Sequence, residues 1–268
     1  MAAPAAEELR AGLLLPQAMV SPKFLYDPLG SALFTAITEL PEYYPTRTES
    51  AIVQAHGVAI AAALRLALPA AFALVDLGAG DGAKAARLFP LLKPARYVAV
   101  DISEDYLRRA LSALQQQFPE LPMTGVGLDF AQELVLPAGL LQGPALLFYP
   151  GSSIGNFGPE AALRLLRQMH AASDGGALLI GADLLKPAAV LEAAYDDELG
   201  VTAAFNLNLL RHANVLLGSD FKVADWRHRA LFNAAEGRIE MHLEARHALR
   251  VAWPGGGRVF AAGERIHT

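Results

Sequence analysis

The chain has 268 residues, of which 53% are hydrophobic and 18% charged, so it can bury a large core and is not expected to be disordered. Its formal net charge of −5 argues against a nucleic-acid-binding protein, for which a basic face is the usual footprint. The absence of cysteine excludes disulfides, thiolate metal ligands and a cysteine nucleophile.

The N-terminal stretch lacks the features of a secretion signal. Glu7 and Arg10 precede only a short apolar run, which is unlike a signal peptide. The richest apolar region, residues 57–75, is interrupted by Arg65 and Pro69, which argues against a membrane span. These features predict a soluble, cytoplasmic protein.

The stretch ELPEYYPTRTES, residues 39–50, brackets two adjacent tyrosines with prolines. Pro41 and Pro45 each fix a backbone angle and disfavour a regular helix or a central strand across the stretch. The sequence therefore predicts a rigid loop that presents aromatic and hydroxyl groups.

Five short apolar runs after residue 71 predict the strands of a parallel sheet. Amphipathic helical patterns separate them; Leu107, Leu111 and Leu114, for example, recur on one face of a helix for which Ser103 is a plausible N-cap. Apolar strands alternating with such helices are typical of a Rossmann-like α/β fold with helices on both faces of the sheet. The five runs are FALVDL (72–77), YVAVD (97–101), TGVGLDF (124–130), ALLFYP (145–150) and ALLIGAD (177–183).

The C-terminal region predicts antiparallel strands instead. In RIEMHLEA, residues 238–245, apolar and polar side chains alternate, which is the pattern of a strand with one buried face. Turn-forming segments flank this strand, NAAEG (233–237) before it and PGGG (254–257) after it.

These patterns divide the chain into two domains. We predict a Rossmann-like core at residues 51–190 and a second, α+β domain formed by residues 1–50 and 191–268. A cleft between two such domains is a common place for a small-molecule site.

A glycine-rich turn, VDLGAGDG, follows the first predicted strand and contains Gly78 and Gly80. Glycines let the backbone turn tightly and approach a ligand closely. Asp101 ends the second strand, where a carboxylate can accept hydrogen bonds from ribose hydroxyls, and Asp129 and Phe130 end the third. Because the carboxyl ends of parallel strands share one edge, these groups predict a site for a nucleotide-like ligand.

The charges around this turn favour S-adenosylmethionine over a dinucleotide. A dinucleotide needs a helix N-terminus that is free to face a pyrophosphate, and Asp81 would repel one. A positively charged sulfonium suits an acidic turn, and Lys84 could meet the carboxylate of the ligand. The alternative is that Asp81 caps the following helix and that Lys84 is solvated.

The loop after the fourth strand, FYPGSSIGNFGP (148–159), consists largely of small and polar residues. Class I methyltransferases place residues that contact the methyl acceptor at this position. The alternative is an ordinary strand-to-helix loop in which Asn156 caps the next helix.

Four segments together resemble the histidine Nα-methyltransferases of ergothioneine biosynthesis. They are FLYDPLGSALFTAITELPEYYPTRTE (24–49), YPGSSIGNF (149–157), AYDDELGVTAAFNLNLL (194–210) and RIEM (238–241). Such enzymes transfer three methyl groups from S-adenosylmethionine to the α-amine of L-histidine, which gives hercynine. The resemblance implies this activity, this cofactor and a class I methyltransferase core with a second, substrate-binding domain.

The resemblance also implies roles for individual residues. Tyr26 and Asn156 would act in catalysis, although methyl transfer to a neutral amine depends mainly on positioning and needs no strong base. The substrate would be bound by Tyr43, Asn156 and Tyr195, with Phe34, Gly151, Ser153 and Met241 around it. The cofactor would be bound by Gly78, Gly80, Lys84, Asp101, Asp129, Phe130 and Gly151.

The sequence departs from the family pattern at its C-terminus. The family continues past GERIHT with a glutamate and a serine that bind the imidazole, and then with the last strands of the sheet, whereas this sequence ends at Thr268. We therefore expect a monomer unless a partner chain supplies those strands. The alternatives are methylation of another free amino acid or small amine, or a truncated, non-catalytic protein that binds S-adenosylmethionine.

The histidines do not suggest a metal site. The seven histidines form no close ligand pair at helical spacing, and we predict that His228, His242 and His247 lie on the surface of the strand-rich domain. No nucleic-acid or membrane partner is predicted.

Overall fold

The computed structural model describes residues 2–268, with side chains from Pro4 onward. The chain folds into two compact units. We call Pro45–Asp183 the parallel-sheet unit, and Met1–Tyr44 with Leu184–Thr268 the antiparallel unit.

The parallel-sheet unit contains five parallel strands in the order β3-β2-β1-β4-β5. The predicted α/β fold class and all five predicted strands are confirmed. The strands are β1 Ala73–Leu77, β2 Arg96–Asp101, β3 Met123–Gly127, β4 Ala145–Tyr149 and β5 Ala177–Ile180.

Helices connect these strands and cover the sheet. Leu107 and Leu114 of α6, and Leu165 and Met169 of α7, are buried, as their spacing predicts. The two faces of the sheet pack into separate hydrophobic clusters. The helices of this unit are α3 Tyr44–Ala67, α4 Ala83–Ala86, α5 Phe89–Leu92, α6 Glu104–Gln117 and α7 Pro159–Ala172.

The predicted loop at residues 39–50 is only half correct. Helix α3 begins at Tyr44, so Pro45 lies in its first turn and the residues after it are helical. Proline is tolerated there because the first N–H groups of a helix have no acceptor inside the helix. Among residues 2–268, α3 is also the one helix long and apolar enough to cross a membrane by length and composition, a test that helices of soluble proteins can pass as well.

The antiparallel unit packs four helices against short antiparallel strands. Its sheet has the order β10-β7-β6, and β8 and β9 form a separate hairpin. The predicted turns at 233–237 and 254–257 join β6 to β7 and β8 to β9. The elements are α1 Ala2–Leu13, α2 Pro28–Thr38, α8 Ala188–Tyr195, α9 Val201–Leu217, β6 Trp226–Asn233, β7 Arg238–Ala245, β8 Leu249–Trp253, β9 Gly256–Phe260 and β10 Arg265–His267.

Helix α9 is the central element of the antiparallel unit. Its residues Phe205, Leu209 and Leu210 are buried in a cluster that also contains Trp226 and Leu243 of the sheet. Helix α9 is anchored to the start of α2, where the Asn208 amide donates to Asp27 Oδ1 at 2.7 Å. The same carboxylate caps α2 by accepting the backbone N–H of Gly30.

The exposure predicted for the polar face of β7 is wrong. Glu244 and His242 are 3% and 7% exposed, although the alternation predicts that they face solvent. The antiparallel register places Arg227 of β6 and Arg265 of β10 opposite Glu244, and both side chains pair with its carboxylate. Burial raises the pKa of Glu244, but the hydrogen bonds from Arg265 and Arg227 outweigh it and keep the pKa below its usual value.

Candidate active site

The glycine turn after β1 is held in place by β2. The backbone N–H groups of Gly78 and Ala79 donate to Val100 O at 2.9 and 3.1 Å. The φ angles of Gly78, Gly80 and Gly82 are 71°, 56° and 71°. A Cβ at Gly80 would meet no atom within 4 Å, so the turn leaves open space beside its backbone.

Asp101 connects the glycine turn to the end of β2. Its Oδ2 accepts the N–H of Gly80 at 3.0 Å, and its Oδ1 accepts the N–H of Ser103 at 3.0 Å. A carboxylate has about four acceptor positions, so two remain for a ligand. The residue predicted for a ribose thus also fixes the turn.

Asp76 was not predicted as part of this edge. It lies in β1, is 1% exposed, and accepts the Tyr97 hydroxyl at 2.8 Å through Oδ2, while its Oδ1 is buried without a hydrogen bond. Burial raises the pKa of Asp76 to about 7. The signal in the sequence was an acid inside an otherwise apolar strand, two residues before Gly78.

Phe130 lies beside the glycine turn. Its ring is 3.8 Å from the position of a Cβ on Gly78, and it meets Tyr149 of β4 edge-to-face at 5.9 Å between centroids. Asp129 is half-buried next to it, and its backbone carbonyl accepts the N–H of Gln132. Both residues therefore lie at the carboxyl edge, as predicted from the end of the third strand.

Neither part of the alternative considered for the charged residues of the turn holds. Gly82, not Asp81, is the N-cap of the short helix α4, although Asp81 Oδ1 accepts the N–H of Ala83 at 2.9 Å. Lys84 is not simply solvated, because its Nζ lies 2.6 Å from Glu49 Oε2.

The loop after β4 begins with Pro150 and Gly151 and continues into a 3₁₀ turn, Ser153–Asn156. The Ser153 hydroxyl donates to Pro150 O at 3.1 Å, and the Gly151 N–H donates to Glu49 Oε1 at 2.7 Å. Helix α7 has Gly158 as its N-cap, so Asn156 does not cap it; Asn156 is exposed.

The remaining predicted residues belong to the antiparallel unit, where an aromatic cluster contains four of them. Ring centroids are 5.5 Å apart for Tyr26 and Phe34, 6.1 Å for Phe34 and Tyr43, and 5.9 Å for Tyr43 and Tyr195. Phe205, which was not singled out in its motif, packs against both Tyr26 and Phe34. Edge-to-face contacts of this kind fix the rings relative to one another.

Tyr43 is the most buried tyrosine of this cluster, at 7% exposed. Burial raises its pKa well above the usual value, and the neighbouring Tyr195 and Tyr26 raise it further. The Tyr43 hydroxyl is therefore protonated at neutral pH and able to donate a hydrogen bond.

The position of Tyr195 depends on polar groups that the sequence did not reveal. The Tyr195 carbonyl lies 2.7 Å from His228 Nε2, and His228 Nδ1 lies 2.9 Å from the Asn206 amide. Because Asn206 Nδ2 donates, His228 is neutral with its proton on Nε2. Asp197, two residues further on, accepts the N–H groups of Val201 and Thr202, the first two residues of α9, whose N-cap is Gly200.

Met241 lies on β7 and packs against the same hydrophobic cluster as these tyrosines. Its backbone carbonyl accepts the N–H and the hydroxyl of Thr268 at 3.0 and 3.2 Å. The backbone of β7 at Met241 is thus tied to the last residue of the sequence.

The surface positions predicted for His228 and His242 are wrong, since they are 8% and 7% exposed; the side chain of His247 is 60% exposed. The register of β7 with β10 brings His242 and His267 into a ring stack at 4.8 Å. Burial lowers the pKa of both rings.

Glu240 completes this cluster, with its Oε2 3.0 Å from His242 Nε2. Its Oε1 accepts the Arg238 guanidinium at 2.6 Å and the Asn233 amide at 3.0 Å. Glu240 is therefore already the counter-ion of an arginine, and further arginines, at 227, 229 and 265, lie on the same face of the sheet. This positive surrounding opposes the binding of a cation between the three side chains.

A family model for SAM-dependent, histidine-specific methyltransferases matches residues 5–268. The chain belongs to this family. The resemblance seen in the four sequence segments is thereby confirmed, and with it the assignment as an S-adenosylmethionine-dependent methyltransferase.

Individual relatives agree with this assignment. The methyltransferase is 38% identical to the histidine N-alpha-methyltransferase of Mycolicibacterium smegmatis, over 97% of this chain and 81% of that protein. It is 32% identical to ergothioneine biosynthesis protein 1 of Neurospora crassa, over 76% of this chain and 24% of that protein. It is 30% identical to the N-methyltransferase fsqC of Aspergillus fumigatus, over 91% of this chain and 67% of that protein.

Two glycines of the turn provide a matched pair of substitutions. A Cβ at Gly82 would lie 2.5 Å from Leu114 Cδ1 and 3.0 Å from the Tyr97 hydroxyl, whereas a Cβ at Gly80 meets nothing. Both glycines have positive φ, so an alanine at either position adds about 1–2 kcal/mol of backbone strain. We expect Gly82→Ala to lower the free energy of unfolding by about 1–3 kcal/mol more than Gly80→Ala, because it also overpacks the core. Urea unfolding measures the difference, and equal losses would contradict the packing described.

The raised pKa of Asp76 makes stability depend on pH. Between its ordinary pKa of 3.8 and the folded-state value of about 7, the folded methyltransferase binds more protons at this group than the unfolded chain does. Its contribution to stability therefore falls as pH rises through this range. We expect the free energy of unfolding of Asp76→Asn, taken relative to that of wild type, to rise by about 2–3 kcal/mol as the pH goes from 5 to 8.

Chemical unfolding of both proteins at pH 5, 6, 7 and 8 tests this dependence. Asp105→Asn is the control, because the Asp105 side chain is 89% exposed. If the free energies of unfolding of wild type and Asp76→Asn change equally with pH, the pKa of Asp76 is not raised in the folded protein.

Proposed function

We propose that this methyltransferase transfers methyl groups from S-adenosylmethionine to the α-amine of L-histidine and so forms hercynine in ergothioneine biosynthesis. The observation that carries the proposal is the 38% identity, over 97% of this chain, with a protein named histidine N-alpha-methyltransferase. The similarity to a fungal ergothioneine biosynthesis protein supports the same pathway. We also propose a cytoplasmic, monomeric enzyme with a small-molecule substrate.

The parallel-sheet unit offers groups that fit the cofactor. The positive-φ glycines of the turn leave open space at Gly80, and the proposal assigns Asp101 to the ribose and Asp129 to the adenine. Lys84 provides a cation for the methionine carboxylate, and Phe130 provides an aromatic surface. S-adenosylmethionine supplies the methyl group, which its sulfonium sulfur makes electrophilic.

Phenol and amide groups fit the amino-acid substrate. Tyr43, with its raised pKa, donates a hydrogen bond without becoming an anion that would repel a carboxylate. The backbone of Tyr195 is held through its carbonyl by His228, and its ring packs edge-to-face against that of Tyr43 at 5.9 Å between centroids. In the proposal these two tyrosines and Asn156 bind the α-carboxylate and the amine, and Tyr26, Phe34, Gly151, Ser153 and Met241 surround the substrate.

The chemistry requires a neutral amine whose lone pair points at the methyl carbon. An α-amine has an ordinary pKa of about 8, so a useful neutral fraction exists at pH 7. As the new N–C bond forms, the S–C bond breaks and its electron pair stays on sulfur. The methylated ammonium must then lose a proton before the next transfer, either to water or through Tyr26, while Asn156 orients the amine. Positioning therefore accounts for most of the catalysis.

A second candidate is methylation of another free amino acid or small amine. The similarity to the fungal N-methyltransferase fsqC favours keeping it, because that protein is 30% identical over 91% of this chain. The binding of the α-carboxylate and amine would be the same, and the difference would lie in the residues around the side chain.

Mass spectrometry of the reaction products distinguishes the two candidates. We expect L-histidine to give products heavier by one, two and finally three methyl groups. Parallel reactions contain L-tyrosine, L-tryptophan or histamine, and histamine tests the need for the α-carboxylate. Methylation of another amino acid with L-histidine left unmodified would contradict the proposal.

Substitutions in the substrate group separate substrate binding from cofactor binding. We expect Tyr43→Phe and Asn156→Ala to raise the KM for the amino acid about 10-fold to 100-fold, the usual effect of losing a hydrogen bond to a charged group. The Kd for S-adenosylhomocysteine, measured by calorimetry, should change less than about threefold.

Tyr44→Phe is the matched control, since it removes the neighbouring hydroxyl and keeps the ring that lies 4.6 Å from Lys186 Nζ. It should leave both constants near wild type. Equal changes in KM and Kd for Tyr43→Phe or Asn156→Ala would contradict the roles proposed.

A further inference from the structure

Glu49, which no sequence motif assigned to a site, forms an ion pair with Lys84 in the parallel-sheet unit. Glu49 lies in the N-terminal part of α3, and its Oε2 is 2.6 Å from Lys84 Nζ. The two side chains are 21% and 37% exposed. The pair is thus half-buried, yet a ligand can reach it.

The pair lies at the end of β1 and β4, the two neighbouring strands between which the strand order reverses. Lys84 belongs to α4, the helix that follows β1, and Glu49 Oε1 accepts the N–H of Gly151, two residues after the end of β4, at 2.7 Å. A Cβ at Gly181, the residue after β5, would collide with the same oxygen, so glycine there leaves room for the Glu49 carboxylate. β1 and β4 are adjacent, and β1 is followed by β2 on its other side. Ligands of open α/β sheets bind at such a switch point.

Both charged groups keep capacity for a ligand. A carboxylate has about four acceptor positions and an ammonium has three donors. The contacts of Glu49 with Gly151 and Lys84 use two of the four, and the contact with Glu49 uses one of the three on Lys84.

The charge of the pair matches one kind of ligand. A lone lysine would attract any anion, whereas a lysine held by a glutamate is neutral as a pair and offers one partner to each sign of charge. The methionine end of S-adenosylmethionine is a zwitterion at neutral pH, since its α-carboxyl is ionised and its α-amine is mostly protonated.

We propose that Glu49 and Lys84 form a subsite for the zwitterionic amino-acid end of the cofactor, in which Glu49 binds the α-ammonium and Lys84 the α-carboxylate. This inference rests on the proposed placement of the cofactor at the glycine turn. It adds a cofactor-binding role for Glu49 and predicts that the methyltransferase distinguishes the amino-acid end by both of its charges.

Four adenosyl thioethers test the subsite by isothermal calorimetry. They are S-adenosylhomocysteine, its deaminated analogue that keeps the carboxylate, its decarboxylated analogue that keeps the amine, and methylthioadenosine, which has neither group. We expect wild type to bind S-adenosylhomocysteine at least about tenfold more tightly than each of the other three, because each lost contact involves a charged group.

The variants Glu49→Gln and Lys84→Met should then weaken different ligands. Glu49→Gln keeps an oxygen for the Gly151 N–H and should weaken S-adenosylhomocysteine and the decarboxylated analogue about 10-fold to 100-fold, with little effect on the deaminated one. Lys84→Met should weaken S-adenosylhomocysteine and the deaminated analogue instead. Glu120→Gln is the matched control, because Glu120 is exposed and precedes β3, at the opposite edge of the sheet.

The outcomes separate this inference from the proposed function. If Glu49→Gln weakens all four ligands equally, or none, Glu49 only attaches α3 to the sheet and the inference is wrong. Wild type that binds the deaminated analogue as tightly as S-adenosylhomocysteine would also overturn it, independently of how any variant folds. If wild type binds none of the four, the cofactor assignment itself fails.

Discussion

Parallel pairing of β1 with β2 on one side and β4 on the other is the constraint on which the cofactor residues depend. The register aligns Leu77 with Val100, so the turn that begins at Gly78 can donate two N–H groups to the end of β2. The same pairing brings Asp101 within 3.0 Å of Gly80 N. Residues more than 20 positions apart in the sequence thereby meet at one edge, and none of them needs a long or flexible connection to do so.

The parallel-sheet unit could be predicted from the sequence because its signals are local. Apolar runs of strand length, amphipathic helices and a glycine turn each describe a few adjacent residues, and the rule that carboxyl ends share an edge supplies the rest. Two features of the same unit escaped this reasoning. The helix at Tyr44 was hidden by a proline that helices accept in their first turn, and the role of Glu49 depends on a contact with Gly151, 102 positions away.

The antiparallel unit was harder to predict because its polar groups are satisfied across strands. Alternation in β7 predicts exposed Glu244 and His242, and only the register with β6 and β10 shows that arginine and histidine side chains cover them. His228 is a similar case, since the carbonyl of Tyr195 and the amide of Asn206 satisfy both ring nitrogens inside the core. A polar side chain can be buried when it has such hydrogen-bond partners, and partners that are distant in the chain cannot be identified from a single sequence.

The charges at the carboxyl edge bear on the choice of ligand. Because Lys84 is paired with Glu49, its charge does little to offset Asp81, Asp101 and Asp129, so the edge is acidic apart from Asp76, whose raised pKa leaves it partly neutral at pH 7. Backbone N–H groups donate hydrogen bonds to Asp81 and Asp101, and these bonds stabilise both carboxylates as anions without any ligand. A phosphate would have to overcome this field, whereas a sulfonium would gain from it. The electrostatics of the edge thus favour S-adenosylmethionine over a dinucleotide and over the product S-adenosylhomocysteine, whose sulfur carries no charge, which is the direction that turnover requires.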